Sequence, residues 1–150
     1  MLKDLLTEDM IRLKVSVDNW EDAIRESAKP LVENKKIKSG YIENMINSVH
    51  KMGPYIVIMP GIAFAHARPD ETVLETSLSV MTLAKPVEFG SEHNDPVDIV
   101  FSIATSSENH HLTALKELAI FLSSERNLEL LKNETDKMKL INLIMNNQEE

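Results

Sequence analysis

His66 is the residue whose neighbours most invite chemistry. It closes the apolar part of Pro60-Gly61-Ile62-Ala63-Phe64-Ala65-His66-Ala67-Arg68-Pro69. Alanines on both sides of the imidazole leave room for another surface to approach. Arg68 places a permanent cation two residues on, suited to an anion. A neutral imidazole is a competent nucleophile and can carry a covalent intermediate. The plain alternative is a histidine at the end of a strand, hydrogen-bonded to main chain. His111 adds a second group. In helical steps, His111, Leu115, Leu118 and Leu122 share one face, so this ring is expected to point inward from the first turn of a helix. Helix N-termini offer unpaired N–H groups and the positive end of a dipole, which suit phosphate. The pattern therefore predicts an anion flanked by a sheet-end histidine and a helix-start histidine. An ordinary polar residue in contact with water is the alternative for His111. His110, about a third of a turn away, is expected to face solvent.

Competing chemistries find less support. The sequence has no cysteine, which removes disulfides, thiolate nucleophiles and cysteine-ligated metals. Neither H-E-x-x-H nor EF-hand spacing occurs, so a metal would need His50, His66 and His111 brought together by folding alone. No metal is assigned. There is no G-x-S-x-G, no G-x-G-x-x-G and no Walker A run among only four glycines, so neither a hydrolase elbow nor a nucleotide cradle is expected. No cofactor is called for.

These residues need elements to hold them. Ile11 to Val17 alternates apolar and polar, the signature of a half-buried strand. Asp18, with Glu21 three residues on, resembles a capping box. The helix it opens puts Trp20, Ala23, Ile24, Ala28 and Leu31 on one stripe. Pro30 falls inside it, and a kink or early end is expected there. Ser39 is read as the cap of a second helix with Tyr41, Ile42, Met45, Ile46 and Val49 inward, stopped by Gly53-Pro54. Strands are expected at Tyr55–Met59, Ile62–Ala65, Thr76–Leu83 and Val97–Ala104, with a loop at Lys85-Pro86. Three helices follow, around Leu112–Leu122, Leu128–Leu131 and Met138–Met145, the last with Thr135 as a candidate cap. The eight methionines are read as packing filler. The sum is an α/β or α+β layered domain.

The chain has 150 residues and a mass of 17.0 kDa, a length that fits one domain with a real core. Its net charge of −8 and pI near 5.1 argue against binding nucleic acid by counterion release. The opening residues carry acids and no apolar core region, so no signal peptide or membrane insertion is expected, and the protein is read as cytoplasmic.

The segment 60–68, with Val87-Glu88-Phe89-Gly90, the run from Asp95 to Ala104, and His111 to Ala119, resembles the enzyme IIA domain of the phosphoenolpyruvate-dependent sugar phosphotransferase system, mannitol/fructose type. Val17 to Arg25 and Gly53 to Gly61 look most like the ascorbate-specific branch. The likeness runs from about Val17 to Ile144, and residues 1–150 are read as one such domain. It implies a three-layer α/β sandwich with a mixed central sheet flanked by helices. It further implies that Nε2 of His66 accepts a phosphoryl group from the histidine-containing phosphocarrier protein. That group then passes to a cysteine of a cognate enzyme IIB, which serves a membrane enzyme IIC during carbohydrate uptake. His111 matches a second histidine that steadies the phosphoryl group.

Two positions depart from the family pattern. Many relatives have proline before the active histidine, where this chain has Ala65, which loses a fixed φ but keeps the nucleophile. Mannitol-type relatives carry an arginine sixteen residues before it, where an ungapped count finds His50. Phosphate charge is then met by His50, by Arg68 or by neither. An apolar rim of Met59, Ile62 and Phe64 is expected to dock partners and keep water from the phosphohistidine. A regulatory module phosphorylated on His66, and a metal hydrolase built on His50, His66 and His111, are the other readings.

Overall fold

Each end of the sheet is set by a local exception to regular backbone. The computed structural model describes residues 2–106 and 108–149, and the side chains of residues 2, 3, 108–111, 114 and 147–149 lie outside that description. A short helix α1 (Leu2–Leu5) and a 3₁₀ turn (Glu8–Met10) lead into strand β1 (Ile11–Val15). The alternation predicts a strand to Val17. It stops at Val15, and within it Lys14 adopts a φ of 56° and its N–H bonds the Thr82 hydroxyl at 2.9 Å, interrupting the ladder between Arg12 and Val15.

Helix α2 (Trp20–Glu33) is capped by Asn19, one residue beyond the expected Asp18; Asn19 Oδ1 accepts from Asp22 N–H at 2.8 Å. Pro30 does not end the helix. It removes the N–H that would have met the Glu26 carbonyl. Arg12 of β1 supplies that bond instead, its Nη1 donating to Glu26 O at 2.9 Å and to Glu26 Oε1 at 3.2 Å. Helix α3 (Ser39–Met52) begins after Lys38 and has no side-chain cap. Gly53, at φ 86°, ends it as its N–H meets Val49 O.

Strands β2 (Val57–Met59) and β3 (Ile62–Ala65) form a hairpin through Pro60-Gly61, where Gly61 takes φ 80°. Strand β4 (Ser77–Val87) runs through the expected Lys85-Pro86 loop. The proline is tolerated there because the ladder to β5 (Val97–Ala104) is already irregular between Thr82 and Val87. Helices α4 (Glu108–Leu122), α5 (Glu125–Asn133) and α6 (Lys137–Glu149) close the chain. Ser124 caps α5, and Asp136, rather than Thr135, accepts from Met138 and Lys139 N–H at the start of α6.

The sheet order is β1-β4-β5-β3-β2, with β1/β4 and β3/β5 parallel and β4/β5 and β2/β3 antiparallel. One face packs on α2 and α3 through Ala63, Ala65, Val100 and Ala104. The other packs on α4, α5 and α6 through Ile62, Phe64, Phe101 and Ile103. This is the expected three-layer α/β sandwich around a mixed sheet. Alternation along β3 puts its alanines under α3 and its bulky residues on the opposite face. A buried polar seam joins α2 to the sheet, with Ser27 and Ser102 hydroxyls 2.8 Å apart.

Candidate functional site

His66 is the first residue past the carboxyl end of β3, beside the parallel strand β5. Its half-buried ring folds back on its own strand, so that Nδ1 lies 2.7 Å from the Phe64 carbonyl oxygen. A carbonyl only accepts, so Nδ1 carries the proton, and in the neutral ring Nε2 carries the lone pair. The plain alternative from the sequence, a strand-end histidine bonded to main chain, is thus present. That bond also decides which ring nitrogen keeps the lone pair.

The main chain around His66 is held by two tyrosines. Tyr41, deep in α3, accepts from Ala67 N–H at 3.0 Å and donates to Ile103 O of β5 at 2.7 Å. Burial pushes its phenol up to about 12. Tyr55, in the connection between α3 and β2, donates to His66 O at 3.0 Å, and its ring stands edge-on to the imidazole with centroids 5.4 Å apart. Neither tyrosine stands out by spacing: Tyr41 reads as one inward residue of a helix stripe and Tyr55 as the first residue of a strand. Small alanines at 63 and 65 let α3 come close enough to the sheet for the Tyr41 bonds.

A cleft of about 900 Å³ opens over His66, between the C-terminal half of α3 and residues 66–70, with Leu112 of α4 on its far side. Lys51 and Arg68 both line it, both exposed, and neither side chain makes a hydrogen bond or ion pair among the described residues. Asp70 is the acid of the lining. Its carboxylate accepts from the Thr72 hydroxyl, from Thr72 N–H at 2.8 Å and from Asn44 at 3.0 Å, and these bonds hold its pKa below the usual carboxylate value. The cleft can therefore receive an anion against two exposed cations, beside a histidine of defined tautomer.

The residues expected from the sequence divide three ways. His66 and Arg68 meet in the cleft. His50 does not line it; it turns to α2, with Nε2 3.1 Å from Glu21 Oε2 and its ring 4.9 Å from that of Trp20. Helix phase explains the parting, since His50 lies 100° around α3 from Lys51. His111 belongs to the first turn of α4, and its side chain lies outside the described residues. Lys51 was missed, and a basic residue one step from the counted position was its only signal.

The expected apolar rim is corrected. Ile62 and Phe64 are buried on the opposite face of the sheet, Phe64 against Phe101 with centroids 5.0 Å apart, and Met59 packs against that same core. The apolar side chains lining the cleft mouth are Met52, Tyr55 and Leu112, exposed by 64%, 37% and 66%. Met52 also departs from the reading of methionines as filler. Among the described residues, no group of three His, Asp or Glu is arranged to hold a metal ion, and His50 and His66 belong to separate clusters.

Residues 4–147 match the family described as "Phosphoenolpyruvate-dependent sugar phosphotransferase system, EIIA 2". The chain is 33% identical over 145 residues to the ascorbate-specific PTS system EIIA component of Escherichia coli (strain K12), covering 95% of this chain and 94% of that protein. The solution structure of the mannitol-specific cryptic phosphotransferase enzyme IIA CmtB from Escherichia coli superposes with a TM-score of 0.86 at 29% identity, covering 97% of this chain and 98% of the other. The enzyme IIA of mannitol from Escherichia coli, solved in complex with its phosphorylated enzyme IIB, shares the fold with a TM-score of 0.83 at 24% identity, covering 94% and 97%.

Proposed function

The chain belongs to the sugar phosphotransferase system EIIA 2 family, and from that premise we propose that His66 is its phosphoryl-accepting residue. The observation that carries this reading is the 2.7 Å contact from Nδ1 to the Phe64 carbonyl. It leaves the lone pair on Nε2, toward which a donor's phosphorus must come. The donor is the histidine-containing phosphocarrier protein. As the N–P bond to His66 forms, the N–P bond on the carrier breaks and the carrier's imidazole leaves with the electron pair. The His66 ring then bears positive charge, and its Nδ1–H bond to Phe64 O becomes charge-assisted, which strengthens it. In the second step a cysteine thiolate of enzyme IIB attacks phosphorus, and Nε2 recovers its pair.

Transition states of this kind are loose, so positioning and charge stabilisation supply most of the catalysis. Arg68 and Lys51 provide that charge from exposed side chains, a grip weak enough for onward transfer. His50 is given no part at the phosphoryl group while it is paired with Glu21. His111 steadies the phosphoryl group from the first turn of α4, a placement supported by its neighbour Leu112 lining the cleft. Residues 1–150 act as one enzyme IIA domain in the cytoplasm, feeding an enzyme IIB and, through it, a membrane enzyme IIC. Among the described residues no helix is long and apolar enough to cross a membrane. Ascorbate is the proposed carbohydrate, on the names of relatives such as the Escherichia coli component.

Intact mass, measured at neutral to alkaline pH, tests the core of this. With phosphoenolpyruvate, enzyme I and the carrier, the wild type gains one phosphoryl group and His66→Ala gains none. Label in His66→Ala, or none in the wild type with active donors, overturns the assignment. Adding an ascorbate-type enzyme IIB then discharges the label; a label that persists points to a regulatory module.

A further inference from the structure

We infer that Tyr55 is the positioning residue of the His66 imidazole, holding the main chain of that residue with its hydroxyl and the ring with its edge contact. The inference rests on the reading of His66 as nucleophile and deepens it. An imidazole that bonds a carbonyl two residues back has a rival orientation, reached by turning the ring about its last side-chain bond, in which a carbon faces that carbonyl. The Nδ1–H bond favours one orientation only while the ring stays over its strand. Tyr55 keeps it there in two ways. Its hydroxyl, 3.0 Å from His66 O, fixes the peptide that follows the histidine. Its ring, at an interplanar angle of 88° and 5.4 Å from the imidazole, occupies space into which the histidine would swing.

The tyrosine is itself anchored. Its own N–H donates to Gly53 O at 2.8 Å. Burial raises the phenol above the ordinary tyrosine value, so it remains a donor throughout the neutral range. Because Tyr55 is 37% exposed and lines the cleft, its loss opens the site without emptying the core. That separates it from Tyr41, which is buried at 1% exposure.

The test compares wild type, Tyr55→Phe and Tyr55→Ala by the ¹⁵N chemical shifts of the His66 ring and by the rate of phosphorylation from the carrier. Wild-type protein should show the single Nδ1–H tautomer. Tyr55→Phe keeps the wall but frees the peptide after His66, so it should retain that tautomer and lower the rate by less than Tyr55→Ala. Tyr55→Ala should mix the two tautomers and lower kcat about ten- to a hundred-fold, the scale of a misplaced reacting group, with KM changed less. A single wild-type tautomer and unchanged kcat in Tyr55→Ala would overturn the inference, and so would a raised KM alone, which marks a docking residue. Should Tyr55→Ala fail to fold, Tyr55→Leu takes its place in both readouts. The nitrogen shifts need no phosphoryl donor. An unlabelled wild type therefore sinks the reading of His66 as acceptor, whereas an unmoved tautomer sinks the role of Tyr55.

Discussion

At Ala67, a single phenol serves two backbone groups. Tyr41 accepts from the Ala67 N–H and donates to Ile103 O, so the residue after His66 is tied to the end of β5. Tyr41→Phe leaves both groups buried without that partner and should cost about 1–3 kcal/mol of stability. The same residue makes a pH prediction. Its folded value of about 12 lies above the ordinary 10.0, so the folded state favours the protonated phenol. That contribution is fully present below pH 10, is lost as pH rises through about 12, and amounts to about 3 kcal/mol for a shift of about two units. Denaturant unfolding across this range should fall more steeply for wild type than for Tyr41→Phe. Parallel curves would show that Tyr41 is not the group responsible. At this scale the place of His66 at a strand end beside Arg68 in the cleft was legible, because small neighbours, a cation and a strand end are all local signals. The two tyrosines were not, since a hydroxyl's partner 26 or 62 residues away leaves no trace in spacing.

Helix α2 shows what an element borrows from its neighbours. Pro30 is a breaker by local rules, yet the helix runs to Glu33 because Arg12 of β1 caps the orphaned Glu26 carbonyl. Arg12→Ala should therefore cost about 1–3 kcal/mol, more than its half-exposed ion pair with Glu26 alone would give. In a Pro30→Ala background the helix supplies its own N–H, and the cost should shrink by at least about 0.5 kcal/mol. Equal costs in the two backgrounds, measured by chemical denaturation, would refute the substitution of one donor for the other. The same lesson covers the element bounds. The alternation of 11–17 identified β1, but the break in its ladder is set by Lys14 bonding Thr82, 68 residues away. Pro86 marked a loop by composition, and the irregular ladder beside Val97 let β4 continue past it. Period and composition report what a segment prefers, and long-range bonds settle where it stops.

Across the whole molecule, the site sits at the carboxyl ends of the parallel pair β3 and β5, a common place for ligands on open sheets. Asp98 lies elsewhere, against Gly61 in the turn that opens β3. Its Oδ1 is buried without a hydrogen-bond partner among the described residues, and Lys132 stands 3.8 Å from Oδ2. Burial raises its pKa, partly offset by Lys132. The folded state thus favours the protonated acid: its contribution is present below the ordinary value of 3.8 and is lost as pH rises through the raised one. Asp98→Asn removes the buried negative charge and should raise Tm at neutral pH by about 2–4 °C, taking about 1 kcal/mol for that charge, and the gain should vanish in acid. A variant that melts lower at neutral pH would contradict this. The layer order was legible from alternating patterns and helical stripes. The side to which Phe64 points was not, because both faces of the sheet are covered and all four β3 residues are buried. The cleft mouth brings Leu112 against Met52 and Tyr55, some sixty residues earlier in the chain, a juxtaposition made only by folding.

The acceptor that orients the imidazole is a main-chain oxygen, that of Phe64. Every sense codon at position 64 encodes a carbonyl, so no exchange there can delete this partner as long as the strand persists. An orienting carboxylate would offer mutation a second target; here inheritance exposes only the histidine itself and the walls around it. Lineages descending from this sequence are free to change residue 64 as far as its contact with Phe101 permits, while the proton on Nδ1 stays where it is.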